Sequence, residues 1–226
     1  MARKILCLHG YSLNGEALDR LLGEFKRSVG DSYEYVCPDG EIDCIPAKEI
    51  AKIYSPPHRC FHGAFPDENE VRESHRFLYD ILDDEGPFEG VLGFSQGAGV
   101  AASLLFEQTM QPGSERPEPL FKFAVFIGGT QPWDIYEPTS KYSKELQPLK
   151  PVCAAKYAAR IDIPTAHIMG RKDIYRDGAK SLLALCNPQK AKVYDHQGSH
   201  MFPRGQTAME DLTAAFDWVT DRATFQ

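Results

Sequence analysis

A serine set between glycines, in Gly93-Phe94-Ser95-Gln96-Gly97, follows an apolar run and leads into a stretch of small residues with helical character. A G-x-S-x-G at a strand-to-helix junction can lift a serine hydroxyl above a sheet in a strained turn. Glycines are needed where a side chain would collide with the adjoining strand or helix. The helix that starts beside the serine offers the positive end of its dipole and unpaired N–H groups to a negatively charged oxygen. The predicted chemistry is attack of Ser95 on a carbonyl carbon. A serine hydroxyl is a poor nucleophile at neutral pH, so a base must take its proton and a carboxylate must orient that base.

For a serine at such a turn the chain order is serine, acid, histidine. Downstream of Ser95 the histidines are His167, His196 and His200. His167 sits within the apolar run Pro164 to Met169 and reads as a core residue. His196 and His200 both lie in Asp195-His196-Gln197-Gly198-Ser199-His200-Met201-Phe202-Pro203. His196 is at the end of a strand candidate, whereas His200 is in a glycine-containing loop from which it could reach back over the sheet edge. Spacing favours His200 and leaves His196 open. For the acid, Asp173 in Gly170-Arg171-Lys172-Asp173 is nearer the strand end, where ligand-facing groups of such sheets collect. Asp177, four residues later, suits a helix cap. The oxyanion donors are expected to be the backbone N–H groups of Gln96 and of Tyr11, the latter in His9-Gly10-Tyr11-Ser12, with His9 structural.

These groups need a scaffold that brings them to one edge. Short apolar runs alternate with longer helical patterns, the α/β signature. Strand candidates are Lys4 to Leu8, Tyr33 to Cys37, Gly90 to Phe94, Phe121 to Ile127, Thr165 to Met169 and Lys192 to Asp195. Most are near-continuous apolar runs, as in parallel strands covered on both faces. One helix is predicted to begin near Gly15 with Leu18, Leu21, Leu22 and Phe25 on a single face. Another is predicted to open at Asp67, where Asp67-x-x-Glu70 has capping-box form. Ala208, Leu212, Ala215, Phe216 and Val219 mark a final amphipathic helix. The 226 residues suit a single domain over 1–226, with two cap-like insertions at about 40–66 and 128–149. Both insertions mix prolines with large aromatics, so Tyr54, Phe61, Phe65, Trp133 and Tyr136 are expected to wall a substrate pocket.

Several of these segments together resemble a known family. They are His9-Gly10, Val36-Cys37-Pro38-Asp39-Gly40, the block Gly86 to Ala98, Gly170-x-x-Asp173 and His196-x-Gly198-x-His200-x-x-Pro203. The resemblance is to the small serine hydrolases typified in fungi, which include esterases and thioesterases of polyketide gene clusters, and it spans nearly the whole chain. It implies the α/β-hydrolase fold, with a mostly parallel central sheet and helices on both faces. It also implies the triad Ser95, Asp173 and His200. Two departures stand out. Tyr-Ser-Leu-Asn-Gly follows His9-Gly10 where the family commonly has Ser before that Gly, and Ser199 stands where Gly is common.

The expected activity is hydrolysis, through an acyl-enzyme, of an ester or thioester carrying an apolar acyl or polyketide chain, with no metal or organic cofactor. The expected partner is the small-molecule acyl substrate, and the resemblance extends it to a polyketide held on an acyl carrier protein. The formal charge of −7 speaks against a nucleic-acid partner. The lack of a long apolar run speaks against a membrane and for a cytoplasmic protein. The six cysteines show no C-x-x-C pair. Two other functions fit the same motifs: a binding protein on a hydrolase scaffold, and an acyltransferase.

Overall fold

The computed structural model describes residues 3–111, 119–136 and 149–224. Six strands make one sheet in which every pairing is parallel. They are β1 (Arg3–Leu8), β2 (Tyr33–Val36), β5 (Phe88–Phe94), β6 (Phe123–Ile127), β7 (Thr165–Gly170) and β8 (Ala191–His196), in the order β2-β1-β5-β6-β7-β8. All six coincide with predicted strands to within a few residues. A short antiparallel ribbon, β3 (Ile42–Asp43) with β4 (Arg59–Cys60), stands apart.

Strand alternation divides the core in two. Leu6, Leu8, Val91, Ala124 and Phe126 face one layer, packed with α4 (Glu68–Glu85), α5 (Gln96–Met110) and α6 (Arg176–Leu183). Ile5, Cys7, Leu92, Val125 and Ile127 face the other, packed with α1 (Gly15–Leu21), α2 (Gly23–Val29) and α7 (Gln206–Thr224). Burial on both faces explains why these strands read as continuous apolar runs rather than as alternating ones. α5 runs through the centre: its first twelve residues are all buried, which the small side chains of Gly97, Ala98, Gly99, Ala101 and Ala102 permit.

Capping follows the sequence closely. Asp67 accepts from the Glu70 N–H at 2.9 Å while Glu70 accepts from the Asp67 N–H at 3.0 Å, so the predicted capping box forms. Asn14 caps α1 by accepting from the Ala17 N–H at 2.7 Å. The single helix expected to run from Gly15 past Phe25 is instead two, broken at Leu22 and Gly23. The bend still buries Leu18, Leu22 and Phe25 together, and glycine's weak helix preference makes the break inexpensive there.

Segment 40–66 holds β3, α3 (Lys48–Ala51) and β4 and is stitched to the loop after β1. The Ser12 N–H donates to the Arg59 carbonyl at 3.0 Å, the Arg59 N–H to the Leu13 carbonyl at 2.8 Å, and the Asn14 side chain to the Pro57 carbonyl at 2.7 Å. Of the second predicted insertion, residues 137–148 lie outside the described residues. The part before them pairs with the part after: the Asp134 N–H donates to the Lys150 carbonyl at 2.8 Å and the Val152 N–H to the Pro132 carbonyl at 2.9 Å.

A buried polar chain crosses from α4 to α5. His75 places Nε2 2.9 Å from Ser103 Oγ and Nδ1 2.9 Å from Glu107 Oε2. Burial pushes the Glu107 carboxyl up, but the hydrogen bond and charge from His75, together with the Arg72 charge, outweigh this and hold it below its usual value. A carboxylate that holds its proton less tightly folded than unfolded stabilises the fold above the unfolded pKa. That contribution disappears as pH falls through the folded value. Glu107→Gln should therefore cost roughly 1–3 kcal/mol at pH 7. The gap from the wild-type protein should narrow below about pH 4, near the ordinary glutamate value. Urea midpoints followed across pH measure both, and a gap independent of pH would count against the ion pair.

Candidate active site

Ser95 stands between the end of β5 and the start of α5 with φ 53° and ψ −116°, in a backbone region that L side chains rarely occupy. Its neighbours show why glycines surround it. A Cβ on Gly97 would lie 2.2 Å from the Leu8 carbonyl oxygen, and one on Gly93 would lie 2.4 Å from the Ala98 Cα. Close packing of α5 against β1 and β5 thus demands both glycines. The turn is held from outside: the Ser95 N–H donates to the Ile127 carbonyl at 2.9 Å, and the Ser95 carbonyl accepts from the Ala98 N–H at 3.1 Å. Such over-determination is what allows a strained residue to persist.

Ser95 Oγ lies 2.8 Å from His200 Nε2, and His200 Nδ1 lies 2.9 Å from Asp173 Oδ2. Asp173 comes from the loop after β7, His200 from the loop between β8 and α7, and Ser95 from the end of β5. Three separate crossovers therefore deliver their side chains to the C-terminal edge of one sheet. The other Asp173 oxygen, Oδ1, accepts from the Tyr175 N–H at 2.7 Å. Because an ionised carboxylate only accepts, Asp173 makes His200 Nδ1 the donor and leaves the Nε2 lone pair toward the serine hydroxyl. In this arrangement the imidazole can take the Ser95 proton. His200 also lies between two aromatic rings: Phe94 stacks on it with centroids 5.8 Å apart and planes 20° apart, and Tyr175 meets it edge-on at 4.7 Å.

The competing candidates sit elsewhere. His196 Nδ1 accepts from the Gly198 N–H at 3.1 Å within its own turn. The Asp177 carboxylate is exposed in the first turn of α6 and pairs with Lys180. His167 is buried against Thr165, and burial pulls its pKa down to about 3.

The loop after β1 faces the nucleophile, for a Cβ on Gly10 would stand 3.1 Å from Ser95 Cβ. That contact brings Gly10, the residue before Tyr11, beside Ser95, and Gln96 is the first residue of α5, where helical N–H groups lack intrahelical acceptors. His9 fixes the loop: its Nδ1–H donates to the Gly10 carbonyl at 2.8 Å and its Nε2 accepts from the Gly40 N–H at 2.9 Å. Burial lowers its pKa and keeps it neutral. A role that sequence reasoning missed belongs to the Gln96 side chain. Its Oε1 accepts from the Phe61 N–H at 3.0 Å and its Nε2 donates to the His62 carbonyl at 2.8 Å, clamping segment 40–66 beside the nucleophile. Among the described residues no group of three or more His, Cys, Asp or Glu converges so as to hold a metal ion.

The family model described as Serine hydrolase (FSH1) matches residues 1–212. The chain belongs to the FSH1 serine hydrolase family. Among curated relatives, it is 27% identical to Esterase alnB of Emericella nidulans, covering 99% of this chain and 98% of that protein. It is 30% identical to Esterase FPY3 of Fusarium mangiferae, covering 97% and 98%. Among solved structures it superposes on Zea mays acyl-protein thioesterase 2 with a TM-score of 0.62 at 18% identity, covering 98% and 94% of the two chains. This FSH1 member is thus a serine hydrolase, and the structural likeness is one of fold, the α/β-hydrolase fold.

The five aromatics expected to wall one pocket do not gather as such in this FSH1 protein. Phe61 is buried with its ring 4.7 Å from that of His9, and Trp133 meets the His62 ring at 6.5 Å, so these two stay close to the Gln96 clamp. Tyr136 turns into the core, edge-on to Phe106, and its hydroxyl donates to the Ser103 carbonyl at 3.2 Å. Tyr54 packs on the opposite core layer and borders a groove with Asn14, Arg20 and Arg204. Phe65 is 87% exposed. Counting aromatics in a segment cannot say which way each side chain points once the segment folds back on its own ribbon. No helix among the described residues is long and apolar enough to cross a membrane.

Proposed function

We propose that the protein is a cytosolic hydrolase that cleaves a carboxylic ester or thioester of a mainly apolar acyl group through an acyl-enzyme on Ser95. The observation that carries this reading is the unbroken chain of hydrogen bonds from Ser95 Oγ through His200 to Asp173, at 2.8 and 2.9 Å. Ser95 attacks the acyl carbon as its proton passes to His200 Nε2. Asp173 orients the imidazole and supports its charge. The oxyanion is met by the N–H groups of Gln96 and Tyr11. His200 then gives the proton to the departing oxygen or sulfur, and water repeats the sequence to release the acid. Segment 40–66 acts as a cap together with residues 128–136, with Phe61 and Trp133 as the apolar side chains beside the acyl group.

The narrower form of this reading is release of a polyketide from an acyl carrier protein, which needs a basic surface for an acidic partner. Arg171 and Lys172 flank the site, but Arg171 already faces Asp195 at 3.8 Å, so a small-molecule ester is the form we favour.

A fluorophosphonate probe should label the protein covalently and should not label Ser95→Ala; unlabelled, well-folded wild-type protein would support a binding role instead. Across matched p-nitrophenyl esters and acyl thioesters, kcat/KM should rise from acetyl to longer chains. An optimum at acetyl would remove the apolar acyl site from the proposal.

A further inference from the structure

His200 lies in the stretch between the end of β8 at His196 and the start of α7 at Gln206, so no helix or strand sets the plane of its ring. The ring is set by its neighbours. Phe94 lies parallel to it, Gly128 approaches so closely that a Cβ there would be 3.4 Å from Cε1, and Tyr175 closes the remaining side edge-on at 4.7 Å. Phe94 is buried, whereas Tyr175 is half exposed. Tyr175 also donates its N–H to the very carboxylate that orients His200. Among the described residues the exposed large apolar side chains are Tyr11, Ile45, Ile53, Phe65, Ile174, Tyr175, Val193 and Met201. Three of them, Ile174, Tyr175 and Met201, lie within two residues of Asp173 or His200.

The leaving group must accept its proton from His200 and so departs beside the imidazole ring that Tyr175 meets edge-on. Resting on the reading of Ser95, His200 and Asp173 given above, we infer that Tyr175 forms the wall of a leaving-group subsite that selects an apolar alcohol. In the step concerned the acyl C–O bond breaks, the electron pair stays on the alcohol oxygen, and the proton from His200 Nε2 joins it. Tyr175 takes no part in that transfer. It is a positioning residue for the imidazole and a wall for the alcohol, and its two roles separate kinetically.

The experiment compares acetates of methanol, 1-butanol and 2-phenylethanol, alcohols of similar acidity on a constant acyl group. The wild-type protein should favour the 2-phenylethyl ester over the methyl ester by roughly tenfold in kcat/KM, mostly through KM. Tyr175→Ala should bring that ratio close to one and also lower kcat on methyl acetate by roughly three- to tenfold, the worth of one lost aromatic contact on the ring. Tyr175→Phe should restore both. Should Tyr175→Ala fold poorly by circular dichroism, Tyr175→Leu, which keeps an apolar side chain but removes the ring, replaces it and should lower the ratio in the same direction. A ratio unchanged in these variants overturns the inference, as does a wild-type preference for a carboxylate-bearing alcohol, which would assign the rim to Lys172. Fluorophosphonate labelling of the wild-type protein keeps the two levels apart. Labelling with a flat ratio rejects the subsite alone, whereas absent labelling rejects the reading beneath it.

Discussion

Ser95→Ala and His200→Ala should each lower kcat by roughly 10⁶-fold, and the double variant should be no slower than either single one. The reason is that neither group acts alone. Without the imidazole the serine keeps its proton, and without the serine the imidazole has nothing to activate. Residual turnover in all three would come from the oxyanion donors and substrate binding, which these substitutions leave in place. Stopped assays with a p-nitrophenyl ester at saturating substrate measure kcat directly. If the two losses add, giving a double variant far slower than either single variant, Ser95 and His200 are working on separate steps and the 2.8 Å contact between them is incidental.

Asp173→Asn should cost roughly 10⁴-fold in kcat with KM little changed. An asparagine fits the same space, and its carbonyl could still accept from the Tyr175 N–H as Asp173 Oδ1 does at 2.7 Å. Its amide then faces His200 Nδ1 as a donor, which drives the ring proton to Nε2 and removes the lone pair that must accept from Ser95. The loss is a tautomer error rather than a packing defect, so the variant should melt close to the wild-type temperature. Asp177→Asn is the control. Its carboxylate is exposed and bonded to Lys180, and its loss should change kcat by less than about twofold. Near-wild-type turnover in Asp173→Asn would move the orienting role elsewhere.

Much of this centre is legible along the chain because its constraints are local. Gly93 answers a contact of 2.4 Å with Ala98 that arises where a helix doubles back on its own strand, so it marks the turn before any tertiary contact is known, whereas Gly97 answers the 2.2 Å approach of Leu8 in the neighbouring β1. The capping box at Asp67 and Glu70 is equally local, four residues satisfying their own backbone donors. The core strands are visible because two buried faces favour apolar residues at nearly every position, Thr165 and His167 of β7 being exceptions. Local pattern fails where a choice depends on a distant surface. The break at Leu22 and Gly23 lets α1 and α2 follow the sheet while keeping Leu18 and Phe25 buried, and a periodic stripe cannot show a bend. The ribbon of β3 and β4 has two residues per strand and carries no periodicity of its own. It is held in place because Ser12 and Leu13, far off in sequence, hydrogen-bond Arg59 of β4, and Asn14 bonds the Pro57 carbonyl just before it.

Residue types and spacing determined that a serine on a tight turn should be the reactive group, and narrowed its partners to two histidines and two aspartates. That His200 and Asp173 approach Ser95 while His196 bonds within its own turn and Asp177 pairs with Lys180 was decided by tertiary structure, since both members of each pair come off the same strand and only the folded path of the chain after it says which one turns back toward the serine. So was the fate of the predicted aromatic wall. Tyr136 satisfies its hydroxyl in the core and Phe65 remains in solvent, because burial of a side chain depends on what stands opposite it in three dimensions, and no linear pattern encodes that neighbour.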